Sequence, residues 1–275
     1  MKTIFCPTDF SENAFTALEY AVQIARKSKP RIVIFNSFES PERTSGVIKV
    51  AQPGFGADNL SKLEALKSEL VAKYPRPKLT IDIHVEEGNP KEVIVKVARV
   101  CKADLIIMGT KGAANLSELI LGSVTATVIN RSEIPVLAVP DTCKFTPIKK
   151  ILFASDLEDS DQAALKRLGK FAAEFGASVD MLHVRKVDEQ FPPAEMKKLE
   201  ARYIVMLGVD SLKLAVRFHA DIISGVSDFL KAGGFQVLAM VTRKRTIITQ
   251  ILSPSMTRKM AHYANLPLLV VKEAV

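Results

Sequence analysis

The chain has no tryptophan, four tyrosines, four histidines and three cysteines in 275 residues, and each scarcity removes a class of chemistry. Cys6, Cys101 and Cys143 are odd in number and form no C-x-x-C. They give no basis for a disulfide framework and read as small apolar fillers in a reducing compartment. His84, His183, His219 and His262 match neither H-x-x-x-H nor H-E-x-x-H, so a metal site has little to build on. No apolar run approaches the roughly 18 residues that a membrane span requires. The opening segment meets Pro7 and Asp9 too soon for the core of a signal peptide. The expectation is a cytoplasmic protein without a membrane partner. With no tryptophan and four tyrosines, the basic residues also lack the aromatic interleaving that stacks bases, which disfavours nucleic acid. The formal charge of +8 is spread as +3 before residue 148 and +5 after it, a diffuse surplus typical of a solvated face that still leaves anionic partners open.

What is present is an ordinary globular composition, 48% hydrophobic and 25% charged, at a length that suits two domains. The most informative feature is a G-x2-G-x9-G-S pattern, Gly109, Gly112, Gly122 and Ser123, directly after the apolar run 104–108. A glycine-rich loop leaving a strand for a helix start lets a ligand approach the backbone and points free N–H groups at an anion. A second copy of the pattern stands 132 residues on, as Val241, Lys244, Pro254 and Ser255, with all three glycines lost. The flanks share the register, 104–110 with 236–242 and Ile134–Val139 with Leu266–Val271. At the front of each copy, Lys2–Asp9 corresponds to Lys149–Asp156 at an offset of 147, so the second copy is 15 residues shorter internally.

Each half alternates β-rich runs with helical periodicity, the pattern of a parallel sheet covered on both faces. The predicted fold is α/β, two tandem five-stranded, Rossmann-like, doubly wound domains over 1–142 and 147–275. Strands are expected near 2–7, 31–37, 79–86, 104–109 and 134–139, then 149–155, 178–184, 213–219, 236–242 and 267–272. A helix over 12–27 would bury Phe15, Leu18, Val22 and Ala25, with Ser11 or Asp9 as its cap, and Pro90 would open another. The short linker 141–148 makes the halves neighbours. The last strands, with Pro135 and Pro267 near their starts, would pair with each other as a pseudo-twofold unit. Residues 41–57, holding Pro41, Gly46, Pro53, Gly54 and Gly56, read as a long loop at the ligand edge of the sheet, either a lid or a disordered stretch.

Pro7–Ser11, Met108–Gly112 and Leu121–Val124 together resemble the universal stress protein family, in its ATP-binding branch, and the resemblance covers both halves. It implies parallel domains of strand order 3-2-1-4-5 that pair through their last strands. It also implies an adenine nucleotide as cofactor, ATP or else ADP or AMP, with Mg left open. Pro7, Thr8 and Asp9 would sit beside the adenosine and Ser37 would offer backbone to the adenine edge. Met108, Gly109, Gly112, Gly122, Ser123 and Val124 would wrap ribose and phosphates. The family often carries His where Asn36 stands. Asp9 has an alternative role as a helix cap, which Asp156 repeats in the half without glycines.

In the second half Val241 and Lys244 replace glycine and Pro254 removes a donor, so one nucleotide per chain is expected. Arg243, Lys244 and Arg245 form either a solvated face or an anion site made of side chains. The leading expectation is an ATP-binding regulatory switch in stress response with an unknown protein partner. The alternative is an interaction scaffold whose pocket is vestigial and independent of nucleotide. No base, nucleophile or carboxylate pair points to catalysis, which leaves at most a slow ATPase. Homodimer formation is left open.

Overall fold

The computed structural model describes residues 1–39, 55–110, 121–157, 162–186, 192–242 and 266–272. The first half runs β1 (Thr3–Pro7), α1 (Glu12–Ser28), β2 (Arg31–Phe38), α2 (Phe55–Lys73), β3 (Thr80–Glu87), α3 (Pro90–Val100), β4 (Leu105–Gly109), α4 (Ser123–Arg131) and β5 (Val136–Val139). The second runs β6 (Lys150–Ala154), α5 (Gln162–Phe175), β7 (Ser178–Arg185), α6 (Pro193–Leu207), β8 (Leu212–Phe218), α7 (Ile222–Gly233), β9 (Val237–Thr242) and β10 (Leu268–Lys272).

The strands form one ten-stranded sheet in the order β3-β2-β1-β4-β5-β10-β9-β6-β7-β8. Each half therefore has the order 3-2-1-4-5, parallel throughout, and the halves join where β5 and β10 run antiparallel. Leu137 faces Leu269 at the centre of that seam, and both are fully buried. Burying such a side chain contributes about 1.5–3 kcal/mol. The expected pairing of the last strands is what the sheet contains.

The repeat extends to single hydrogen bonds. One carboxylate oxygen of Asp104 accepts the N–H groups of Lys2 and Thr3, and the Gln236 Oε1 accepts those of Lys149 and Lys150. Carbonyls of Pro135 and Pro267 take the N–H groups of Ile106 and Leu238 at 2.9 and 3.0 Å. These prolines lie just before β5 and β10, where their missing donors interrupt no ladder.

One face of the sheet carries a core shared by both halves, in which Ala17, Leu18, Tyr20 and Ile24 of α1 join Leu165, Leu168 and Phe171 of α5. The other face carries two separate cores, under α3 and α4 in the first half and under α7 in the second. This explains why α1 departs from its expected stripe. Leu18, Val22 and Ala25 are buried, but so are Asn13, Ala14, Ala17, Tyr20, Ala21 and Ile24, while Phe15 is half-buried. The helix covers its own sheet and also meets the linker, with Phe145 edge-on to Tyr20 at 4.9 Å.

Ser11 caps α1, its Oγ accepting the Ala14 N–H at 3.2 Å, and Asn89 caps α3 ahead of Pro90. The stretch read as a loop over 41–57 ends sooner, because α2 starts at Phe55. The remainder of that stretch, and the lid reading with it, lies outside the described residues. No helix among the described residues is long and apolar enough to cross a membrane.

Candidate functional site

The strand order reverses between β1 and β4, since β2 and β3 lie on one side of β1 and β4 and β5 on the other. Ligands of open α/β sheets bind outside the carboxyl ends of strands at such a point. Pro7 and Gly109 end these two strands, and Pro7, Thr8, Met108, Gly109 and Gly122 are buried while Asp9 and Ser123 are exposed. The topology thus brings the β1 turn and the end of β4 together, with the start of α4 joined to β4. Ser37 reaches the same edge from β2. Gly112 lies outside the described residues.

The β1 turn is built from its own polar groups. Phe10 is left-handed (φ 64°), and the Thr8 Oγ1 accepts its N–H at 3.0 Å. Asp9 accepts both the N–H (3.1 Å) and the hydroxyl (2.6 Å) of Ser11 through one oxygen. Ser11, not Asp9, is therefore the helix cap, and Asp9 orients it. The same turn recurs in the second half, where Leu157 is left-handed (φ 62°) and donates its N–H to the Ser155 Oγ.

β2 extends beyond β1. The register ends at Pro7 opposite Phe35, whose carbonyl takes the Thr8 N–H at 2.8 Å. Backbone groups of alternate residues in a strand point to the same side. The N–H and C=O of Ser37 therefore face past the end of β1, toward the crevice. Beside it, the buried Asn36 donates its Nδ2 to the Thr8 carbonyl at 2.8 Å. His183, at the equivalent place in the second half, sets its Nδ1 3.0 Å from the Ser155 carbonyl. A carbonyl only accepts, so this nitrogen carries the proton. Asn36 therefore makes the contact to the turn that His183 makes in the other half.

At β4, the Thr125 Oγ1 donates to the Gly109 carbonyl at 2.8 Å, tying the first turn of α4 to the strand. Asn13 donates its Nδ2 to the Val139 carbonyl at 3.1 Å, and its side chain occupies the space next to Gly109. Gly122 is the cap residue of α4 and offers no side chain to the helix start. The first N–H groups of a helix have no intrahelical acceptor, so those of Ser123 and Val124 suit an anion with the favourable end of the helix dipole behind them. Sequence reasoning passed over Asn13 and Thr125 because a polar residue in a first helical turn reads as solvent-facing. Their partners are carbonyls on other elements.

Among the described residues, the free backbone donors at the start of α4 and the Ser123 hydroxyl have the chemistry that suits an anion. Cys6, next to Pro7, is fully buried, and burial pushes its thiol up. Among the described residues no group of three His, Cys, Asp or Glu side chains could hold a metal. In the second half Val241 stands in β9 where Gly109 stands in β4. Lys244, Pro254 and Ser255, together with the basic triplet at 243–245, lie outside the described residues.

Two doubly wound α/β halves of strand order 3-2-1-4-5, joined in one sheet, define the class of protein to which the chain belongs. The model of the universal stress protein family matches residues 1–140 and again 147–272, and the chain belongs to that family as a tandem member. It is 33% identical over 152 residues to the universal stress protein MJ0577 of Methanocaldococcus jannaschii, spanning 50% of this chain and 94% of that one. A universal stress protein from Archaeoglobus fulgidus has a solved structure that aligns with this chain along nearly its whole length. It covers 99% of this chain, and this chain 96% of it, at 19% identity and a TM-score of 0.71. A universal stress protein solved in complex with cAMP is 25% identical over 50% of this chain and 96% of its own, with a TM-score of 0.40.

Proposed function

We propose that the first half binds one adenine nucleotide, with ATP as the reference ligand, and that its occupancy regulates what a protein partner meets. The observation that carries this reading is the start of α4. Gly122 leaves the helix without a side-chain cap at the carboxyl edge of β4, next to the β1 turn. Ser123 and Val124 would hold the distal phosphates, Gly109, Gly112 and Met108 the ribose side, Pro7, Thr8 and Asp9 the adenosine, and Ser37 the adenine edge. Mg would accompany the triphosphate. The second half would bind no nucleotide, since Val241 places a β-branched side chain where close backbone approach is needed.

Titration calorimetry with ATP, ADP and AMP on the wild type and on Gly122→Val tests this. One site per chain is expected, weakened at least tenfold in the variant. Two sites, or an unchanged variant, would sink it.

A second reading, a scaffold with a vestigial pocket, is favoured by one observation. The Thr8–Ser11 turn recurs at Ser155–Leu157 in the half that lost its glycines, so that turn persists without them. Absence of nucleotide from the purified, denatured protein, together with no binding in calorimetry, would select the scaffold.

A further inference from the structure

A cleft of about 470 Å³ opens between the amino edge of the first half's sheet and helix α5 of the second. Its floor is apolar, made by Met1, Leu105, Ile134 and Phe171. Its carboxylates already have donors. Asp104 takes two backbone N–H groups, Glu133 pairs with Arg99 at 3.4 Å, and Glu174 takes the Met1 ammonium at 2.8 Å. Two cations are left without a counter-charge among the described residues, Arg167 and Lys170, three apart on one face of α5. The Arg167 Nη1 donates to the carbonyls of Glu133 (3.2 Å) and Lys272 (3.1 Å), which are neutral. That leaves the Nε and Nη2 edge of the guanidinium, a geometry that grips a carboxylate through two parallel bonds.

The repeat supplies an internal comparison. At the offset of 147, Arg167 corresponds to Tyr20, Lys170 to Gln23, Phe171 to Ile24 and Met1 to Ile148. Gln23, Ile24 and Ile148 line a cavity in the other half that the linker borders with Phe145 and Pro147, and Phe145 is set edge-on against Tyr20. The chain thus sets an aromatic ring beside one cavity. In the other it puts an arginine where the ring's partner stood and a lysine where a neutral amide stood.

We propose that the Met1–Arg167 cleft binds a small organic acid. Its single carboxylate lies on Arg167 and Lys170, and its apolar body, about the size of a phenylalanine side chain, lies on Leu105, Ile134 and Phe171. Volume, an apolar floor and two cations in the lining are the attributes of a small-molecule site. This site is at the opposite edge of the sheet from the nucleotide crevice and does not depend on it.

The test is an NMR titration of the full chain with 3-phenylpropionate, with 3-phenylpropan-1-ol as the neutral counterpart. The acid should saturate one site per chain with millimolar or tighter affinity, shifting resonances of residues 103–105, 134–135 and 167–174. The alcohol should bind at least tenfold more weakly. Lys170→Gln, at an exposed position off the seam, should weaken the acid at least tenfold while the melting temperature stays that of the wild type. Arg167→Gln should do the same at some cost to the seam. No saturation by the acid, equal binding of acid and alcohol, or wild-type affinity in Lys170→Gln would each overturn the assignment.

Discussion

Asn13 occupies the room that any side chain on Gly109 would need. A Cβ at that position would lie 2.5 Å from the Asn13 Oδ1 and 3.1 Å from its backbone carbonyl carbon. Read in the sequence, this glycine admits a ligand. In the fold it first admits α1, whose Asn13 crosses β4 to reach the Val139 carbonyl.

Gly109→Ala should therefore destabilise the protein by about 1–3 kcal/mol even without nucleotide, the range for overpacking a filled site. Adding Asn13→Ala should recover part of that loss. Urea unfolding of the two variants decides it. An unchanged midpoint in Gly109→Ala would mean that Asn13 moves aside freely and that packing does not require glycine here.

The β5–β10 seam gives a second expectation. Leu137 has no exposure and faces Leu269 at the middle of a single ten-stranded sheet. In Leu137→Lys an ammonium would be buried unpaired or the strand displaced, a loss of roughly 3 kcal/mol or more. The variant should unfold at lower urea and be cut faster within the linker by a probe protease. Wild-type behaviour in both assays would show that the seam contributes little.

Much of this was legible in the residues. The runs at β1, β4 and β9 are apolar without alternation because helices cover both faces of the sheet, and the repeat carried the pairing of the halves. What escaped was the chemistry that couples residues far apart in sequence. The left-handed Phe10 and Leu157 are bulky residues that composition does not mark as turn formers. Asn36 reads as a departure from the family's His until His183 shows the shared contact to a turn carbonyl. The wide buried face of α1 depends on Phe145 in the linker, which helical periodicity cannot contain.

Cys143 links the linker to alkaline stability. Burial pushes its thiol up to about 11. The fold thus favours the neutral thiol, and on unfolding the group ionises at lower pH. Its contribution is complete below the ordinary thiol range near 9 and is lost as pH rises toward 11. Cys6 and Tyr20, raised first of all by burial, act in the same direction. Urea midpoints should fall between about pH 8 and about pH 10.5, and less steeply in Cys143→Ala. An equal slope in the variant would remove Cys143 from the account.

The basic triplet bears on how the halves divide their roles. If the triplet is the solvated face that its sequence suggests, neutralising Arg243, Lys244 and Arg245 together should leave ATP affinity within about threefold, a change under about 1 kcal/mol, because solvated charges act on a distant ligand only through screening salt. A larger loss in calorimetry would mean that these side chains reach a nucleotide.

Helix α4 connects the proposed phosphate end to the second half. Its nine residues span about 13 Å. Its start offers N–H groups at Ser123, and at its far end the Lys272 Nζ of β10 donates to the Asn130 carbonyl at 2.6 Å. A cation at a helix C-terminus meets the negative end of the dipole, so this bond from the second half favours the helical state of α4. Just beyond it, Arg167 holds the Glu133 carbonyl and that of Lys272 itself. Whatever tightens α4 at its start should be felt by β10 at its end. Lys272→Met keeps the packing stem and removes the donor, and should lower stability by about 0.5–1.5 kcal/mol. In hydrogen exchange the last turn of α4 should open faster in this variant. If the nucleotide reading holds, ATP should slow exchange at 266–272 in the wild type, and markedly less in Lys272→Met. Protection by ATP confined to the start of α4, with 266–272 unmoved in both proteins, would show that the second half does not sense the first through this helix.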